Sequence, residues 1–381
     1  MRFAGWCLLA GLLALAGCGQ FFPPVTSTNG GGGSGGGGGG TGATGAYLYV
    51  ANSNPNLNTI AGFSLTNGKL TNISGSPFAV PLTPSCIAMT PNDSLLYMGS
   101  LSGAIYVYTV GSNGAISLGN GGTPVFTGDS PVTMEIDSTG QWIVWVSGFS
   151  GEAYVFGINS STGALTNLNV PGVALASSAA SSLAITPNDA YVYVALGTDG
   201  VETLSFNGTT GALAPVNSVL PPKQNLDADL AVAVSPNGKY LYVTETGINA
   251  VRVFSIASNG TLSEISGSPF KTGLGPAAVL ADPTGSYVYV ANRTGNSISA
   301  FSVGTTGGLT AIAGSPFSTG TTPVAMAEDK TKGYLAVVNE GGSPDLQVFQ
   351  FSTTTPGALT PVATSSTGTD PTQAIGIAAT Q

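Results

Sequence analysis

Seven aromatic, β-branched runs recur along this chain at an almost constant interval. YLYV from Tyr47, LLYM from Leu95, WIVW from Trp142, YVYV from Tyr191, YLYV from Tyr240, YVYV from Tyr287 and YLAVV from Tyr334 align on Tyr49, Tyr97, Val144, Tyr193, Tyr242, Tyr289 and Ala336, in steps of 48, 47, 49, 49, 47 and 47 residues. A period held across a chain of 381 residues means one structural unit repeated. No single unit of that size buries its own apolar faces, so the copies must pack on one another as one closed domain.

One copy shows most of the unit. From Ser286 to Phe317 a β run (Tyr287 to Ala291) meets a polar turn (Asn292 to Asn296), an alternating run (Ser297 to Val303), a glycine turn and a last run ending in Gly-Ser-Pro-Phe. Short runs joined by Gly, Asn and Ser are antiparallel hairpins. A further apolar run precedes each aromatic one after the first, as in Ile87-Ala88-Met89, Leu183-Ala184-Ile185 and Val232-Ala233-Val234. Four strands per unit, lettered A to D in chain order and repeated radially, make a propeller blade. The expected fold is all-β: a seven-bladed β-propeller of four-stranded antiparallel blades with strand A innermost. Strands A and B lack alternation because neighbouring blades cover both faces, whereas D is the more polar edge.

The chain ends show how the ring closes. The first copy opens on strand B at Tyr47, and Asp370 to Gln381 reads as a strand A with no B after it. Ile375 to Ala379 is therefore expected to pair with Tyr47 to Ala51, a velcro closure that leaves no open edge.

Charged residues are only 7% of the chain and the formal charge is -9, or -10 once Arg2 is removed with a leader. An acidic chain without Lys/Arg clusters repels phosphate backbones, so nucleic acid is not an expected partner. Residues 1–17 read as a secretory signal, with Arg2 followed by an apolar run from Phe3 to Ala16. Leu15-Ala16-Gly17-Cys18 resembles the bacterial lipobox, which implies lipidation of Cys18 and a bacterial envelope location, with Gly19 favouring the outer membrane. Residues 18–46 form a glycine-rich tether with a reach on the order of 30 Å, and 47–381 the propeller. Cys86 is then the one cysteine of the propeller, so the fold is expected to close without an internal disulfide.

Runs such as YVYVANRTGNSISAFSV and TPNDAYVYVAL resemble the YVTN repeat. The stretch from about Tyr47 to Gln381 is similar to bacterial seven-bladed propellers of the lactonase family, related to 6-phosphogluconolactonase and carboxymuconate cyclase. The resemblance implies polar working groups at the channel mouth, histidine among them in the cyclase branch. This chain contains no histidine, which excludes Ser-His and Cys-His nucleophile pairs and His-based metal sites.

The A-to-B turns of such a ring lie on one rim. The B-to-C and D-to-A segments share the other and hold the more varied residues, including Asn52, Glu245, Asn292, Arg293, Asn339 and Glu340. Glu245, Arg293 and Glu340 are candidates for an acid, base and acid set at the channel mouth, with Asn52, Asn292 and Asn339 as ligand-binding groups; the other reading, which the weakness of exposed ion pairs favours, is that Asn caps the turn and the charges form solvated rim pairs. Glu135 stands on strand A where other copies carry Ala or Leu, as a catalytic carboxylate or a paired structural one. Asp227 and Asp229, on the segment that departs most from the repeat, are candidate ligands for a hard cation. The leading expectation is a lipid-anchored, monomeric binding or interaction module for a small polar ligand or an envelope protein, without a cofactor. The alternative is a sugar lactonase in which Glu135 or the Glu245/Glu340 pair activates water and Arg293 stabilises the oxyanion.

Overall fold

A computed structural model describes residues 42–381 except 55–57, 169–170, 225–226, 343 and 369–372. The signal, Cys18 and most of the glycine tether lie outside the described residues. Within them the chain forms seven antiparallel sheets, each ordered A-B-C-D from the centre outward. Strand A of every blade touches strand A of the next, and Ala374–Ala379 touches both Pro323–Glu328 of the seventh blade and Pro84–Met89 of the second. The ring is thus a closed seven-bladed propeller. The closing strand pairs antiparallel with Tyr47–Asn52, Leu48 opposite Ala379 and Val50 opposite Ile377.

The period of the sequence has a physical origin in hydrogen bonds between blades. The second aromatic of the B run reaches across the seam to the glycine turn between strands C and D of the next blade: Tyr49 Oη donates to the Gly114 carbonyl (2.7 Å), Tyr97 to Gly163 (2.9 Å), Tyr193 to Gly260 (3.0 Å) and Tyr289 to Gly357 (3.1 Å). The first aromatic packs on the same turn. A Cβ on Gly260, whose φ is +80°, would lie 2.5 Å from the Tyr191 ring, so the position admits only glycine. The A-to-B turn is fixed as regularly, because a side-chain oxygen at its start accepts the first N–H of strand B. Thr90 takes that of Leu95 (3.0 Å), Ser235 that of Tyr240 (2.9 Å) and Asp329 that of Tyr334 (2.8 Å).

The outer strand differs from the expectation of four strands per blade. In five blades D is split, and a second piece such as Phe78–Ala79 or Phe270–Lys271 pairs further along strand C. Gly-Ser-Pro-Phe makes the break in three of them. Its serine hydroxyl accepts a strand-C N–H that has lost its carbonyl partner: Ser76 from Gly62 (2.8 Å), Ser268 from Val253 (3.1 Å) and Ser315 from Ala300 (2.9 Å). The two unbroken edges, Ala212–Leu220 and Leu359–Ser365, carry Pro215 and Pro361 beside a register shift. Both devices spoil the edge as a template for another strand.

Candidate functional site

The ends of the B strands and the starts of the A strands face each other at the upper rim. In four blades the last B residue opposes a proline: Pro84 with Ser100, Pro131 with Ser147, Pro276 with Asn292 and Pro323 with Asn339. In the fifth blade the same pair is Asp229 with Glu245. Two carboxylates thus replace a rigid apolar residue and its neutral partner.

Asn52, Asn292 and Asn339 are all buried and brace this corner. Asn52 donates to Thr59 Oγ1 (3.0 Å) and the Thr367 carbonyl (2.9 Å) and accepts from Thr367 Oγ1 (2.8 Å). Asn292 donates to Ser297 and Ser299 (both 3.0 Å), and Asn339 to the Pro344 carbonyl (3.0 Å). The Oδ1 atoms of Asn292 and Asn339 have no partner. Glu135 is buried at the seam between the third and fourth blades, where its Oε2 accepts the Ile185 N–H (3.0 Å).

The proposed acid, base and acid set divides in two. Arg293 and Glu340, each the residue after the corner Asn in adjacent blades, form an ion pair through Nη2 and Oε2. Their main chains are anchored alike, Arg293 N on the Gly275 carbonyl (2.8 Å) and Glu340 N on that of Thr322 (2.9 Å). The two side chains are 29% and 23% exposed, so solutes reach them. Glu245 instead binds Arg252, Nη1 to Oε1 at 3.1 Å, and is fully buried.

Around Glu245 lies an acidic nest. Asp227 and Asp229 flank it, both buried. Arg252 lies 4.6 Å above the Phe254 ring, forks onto Glu264 (Nη2 to Oε2, 3.2 Å) and donates to the Pro221 carbonyl (3.0 Å). Lys223 adds a bond to Glu264 Oε2 (3.1 Å). Burial pushes the Asp229 carboxyl up to about 8; the Glu245 and Asp227 charges add to this and Arg252 opposes it. Burial likewise raises Glu245, against the pull of the Lys223 N–H and Arg252.

Sequence reasoning overlooked Arg252, Glu264 and Glu328. Glu328 occupies the strand-A position of Met89, Ile136, Ile185, Val234 and Ala281, a contrast as plain as the one that singled out Glu135. Both its carboxyl oxygens are buried without a partner. Burial, then the Asp282 and Asp329 charges, push it up to about 9, with Lys332 opposing.

The family model "Lactonase, 7-bladed beta-propeller" matches residues 55–375. The chain belongs to this lactonase family. Among solved structures it is similar to a putative 6-phosphogluconolactonase from Bacteroides uniformis, at 19% identity over 88% of this chain and 98% of that one, with a TM-score of 0.72. The Pseudomonas aeruginosa periplasmic gluconolactonase PpgL superposes with a TM-score of 0.71 at 18% identity, covering 88% of this chain and 99% of that one. A protein from Lactobacillus plantarum gives 0.72 at 20% identity, with 88% and 99% covered. At these identities the likeness carries the fold. No curated protein matches the chain.

Proposed function

We propose that this lactonase-family propeller hydrolyses a sugar lactone at the upper rim, and that its substrate is uncharged. Family membership moves the balance from the binding module toward catalysis. The observation that carries the site is the Arg293–Glu340 pair: it is the ionic pair among the expected catalytic residues that solvent reaches. Glu340 takes a proton from water as the water oxygen bonds to the lactone carbonyl carbon, and Arg293 donates to the oxyanion that forms. Collapse breaks the ring C–O bond, and the proton on Glu340 passes to the leaving alkoxide.

Charge argues for a neutral substrate. Four cations serve the upper half of the described residues, and each already holds an acceptor, with Arg293 Nε left unpaired. Lys223 binds Glu264, Arg252 binds Glu245 and Glu264, Arg293 binds Glu340, and Lys271 donates to the Ile248 carbonyl. A phosphoester needs donors beyond these to offset its desolvation. The Leu15-Ala16-Gly17-Cys18 motif supports placing this activity outside the cytoplasm on a lipid tether.

The test is turnover of glucono-δ-lactone by the propeller and its variants. Arg293→Ala is expected to lower kcat by about 100- to 1,000-fold, and Glu340→Gln by about 100-fold or more. Full activity in both variants, with loss in Asp229→Asn, would move the chemistry to the fifth blade. No turnover of any lactone would return the reading to a binding module.

A further inference from the structure

The seam between the seventh and first blades departs from the repeat. In the other blades the turn from strand C to strand D is long, running from Val110 to Ile116 in the second blade and from Asn207 to Ala212 in the fourth, where it is shortest. In the first blade strand C ends at Thr66 and D begins at Lys69, so only Asn67 and Gly68 join them, both at positive φ. An Asn-Gly pair makes such a tight turn. The tyrosine of this seam is missing as well: Ala336 stands where Tyr49, Tyr97, Tyr193 and Tyr289 send a hydroxyl to the turn of the next blade. Beside the shortened turn lies a cavity of about 530 Å³, open to solvent and lined by Thr66, Asn67, Asp329, Lys330, Tyr334 and Gln350 among others. That volume is ordinary for a small-molecule site, roughly 300 to 1,000 Å³.

The charges of the cavity are already spent. Asp329 accepts four donors of its own turn, the N–H groups of Thr331 (3.0 Å), Gly333 (2.9 Å) and Tyr334 (2.8 Å) and the Thr331 hydroxyl. Lys330 Nζ donates to Asp93 Oδ2 (3.1 Å) and the Ala43 carbonyl (3.4 Å). By contrast, the Thr66 hydroxyl, the Asn67 and Gln350 amides and the Tyr334 phenol bond to no other described residue. Gln350 is also unusual for its place. It lies opposite Tyr334, whereas Tyr47, Tyr191, Tyr240 and Tyr287 each face a serine at the same register. Amides and hydroxyls around a phenol ring suit a sugar, whose hydroxyls pair with the amides while its C–H face lies on the ring. A phosphate would need a free cation, and an ammonium group a free carboxylate. We propose that this seam is a second binding site, which takes a neutral saccharide against Tyr334 through the amides of Asn67 and Gln350. It lies on the rim of the A-to-B turns, opposite Arg293 and Glu340, so it does not rest on the lactone chemistry.

The experiment titrates the full chain in a calorimeter with maltose, cellobiose and trehalose, and with trehalose 6-phosphate as the charged counterpart. At least one disaccharide is expected to give saturable heat at one site, and trehalose 6-phosphate to bind no tighter than trehalose. Gln350→Ala and Asn67→Gly, which suits the positive φ of the turn, should each weaken binding by about tenfold. Tyr334→Ala should abolish it, and Arg293→Ala should leave it unchanged. Asn67 and Gln350 are exposed, so their variants decide the matter if Tyr334→Ala fails to fold. The proposal is overturned by no heat from any of the three sugars up to about 10 mM, by tighter binding of the phosphorylated sugar, by full affinity in both Gln350→Ala and Asn67→Gly, or by loss of binding in Arg293→Ala.

Discussion

Replacing Glu328 by methionine should stabilise the propeller and flatten its pH dependence. The unfolded chain ionises this carboxyl near 4.5, whereas the folded protein holds it protonated up to about 9, chiefly through burial. Between those values the folded state keeps a proton that the unfolded state has lost, so stability falls as pH rises, by at most about 1.4 kcal/mol per unit. At neutral pH the accumulated loss is about 3 kcal/mol relative to pH 4.5. Glu328→Met removes it with a side chain of similar length, and the second blade already carries Met89 at the equivalent register. For a domain of this size the gain corresponds to a Tm about 4 °C higher at pH 7. The measurement is a set of thermal melts of both proteins at about pH 5, 7 and 9. The variant should gain most at the highest pH and least at the lowest. An equal Tm difference at all three values would refute the assignment of a buried, protonated Glu328.

Other perturbations probe the ring. Deleting Ala374 to Gln381 removes the strand paired with Tyr47–Asn52 and should abolish the cooperative melt of the full-length protein, as read by calorimetry. Tyr193→Phe leaves the Gly260 carbonyl without its donor and should cost about 1 to 2 kcal/mol. Gly260→Ala should cost more than Tyr193→Phe, because a Cβ there meets the Tyr191 ring at 2.5 Å and the backbone φ is +80°; denaturant midpoints rank the two.

The architecture was legible because its cause is periodic. In four blades Tyr49, Tyr97, Tyr193 and Tyr289 reach a glycine in the next blade, so the bonds that fix those seams also imprint the spacing. The closure was legible for the same reason, as an unpaired B at one end and an unpaired A at the other. The split outer strand was missed: Gly-Ser-Pro-Phe was read as the close of strand D, whereas Ser76, Ser268 and Ser315 use it to interrupt that strand. Pairing of charges at the rim was only half readable. Arg293 and Glu340 share one offset in adjacent blades and meet. Glu245 lies one residue earlier in its repeat, is fully buried and pairs with Arg252 of strand C. Repeat position tells which side chains are equivalent, but burial decides which of them a solute can touch.

Preference for a neutral lactone is decided by kcat/KM for glucono-δ-lactone and for its 6-phosphate, measured side by side on the same preparation. The committed cations of the upper rim predict turnover of the neutral lactone by at least about tenfold over the phosphorylated one, with the gap narrowing as salt screens the acidic face. Equal or better turnover of the phosphorylated lactone would contradict it.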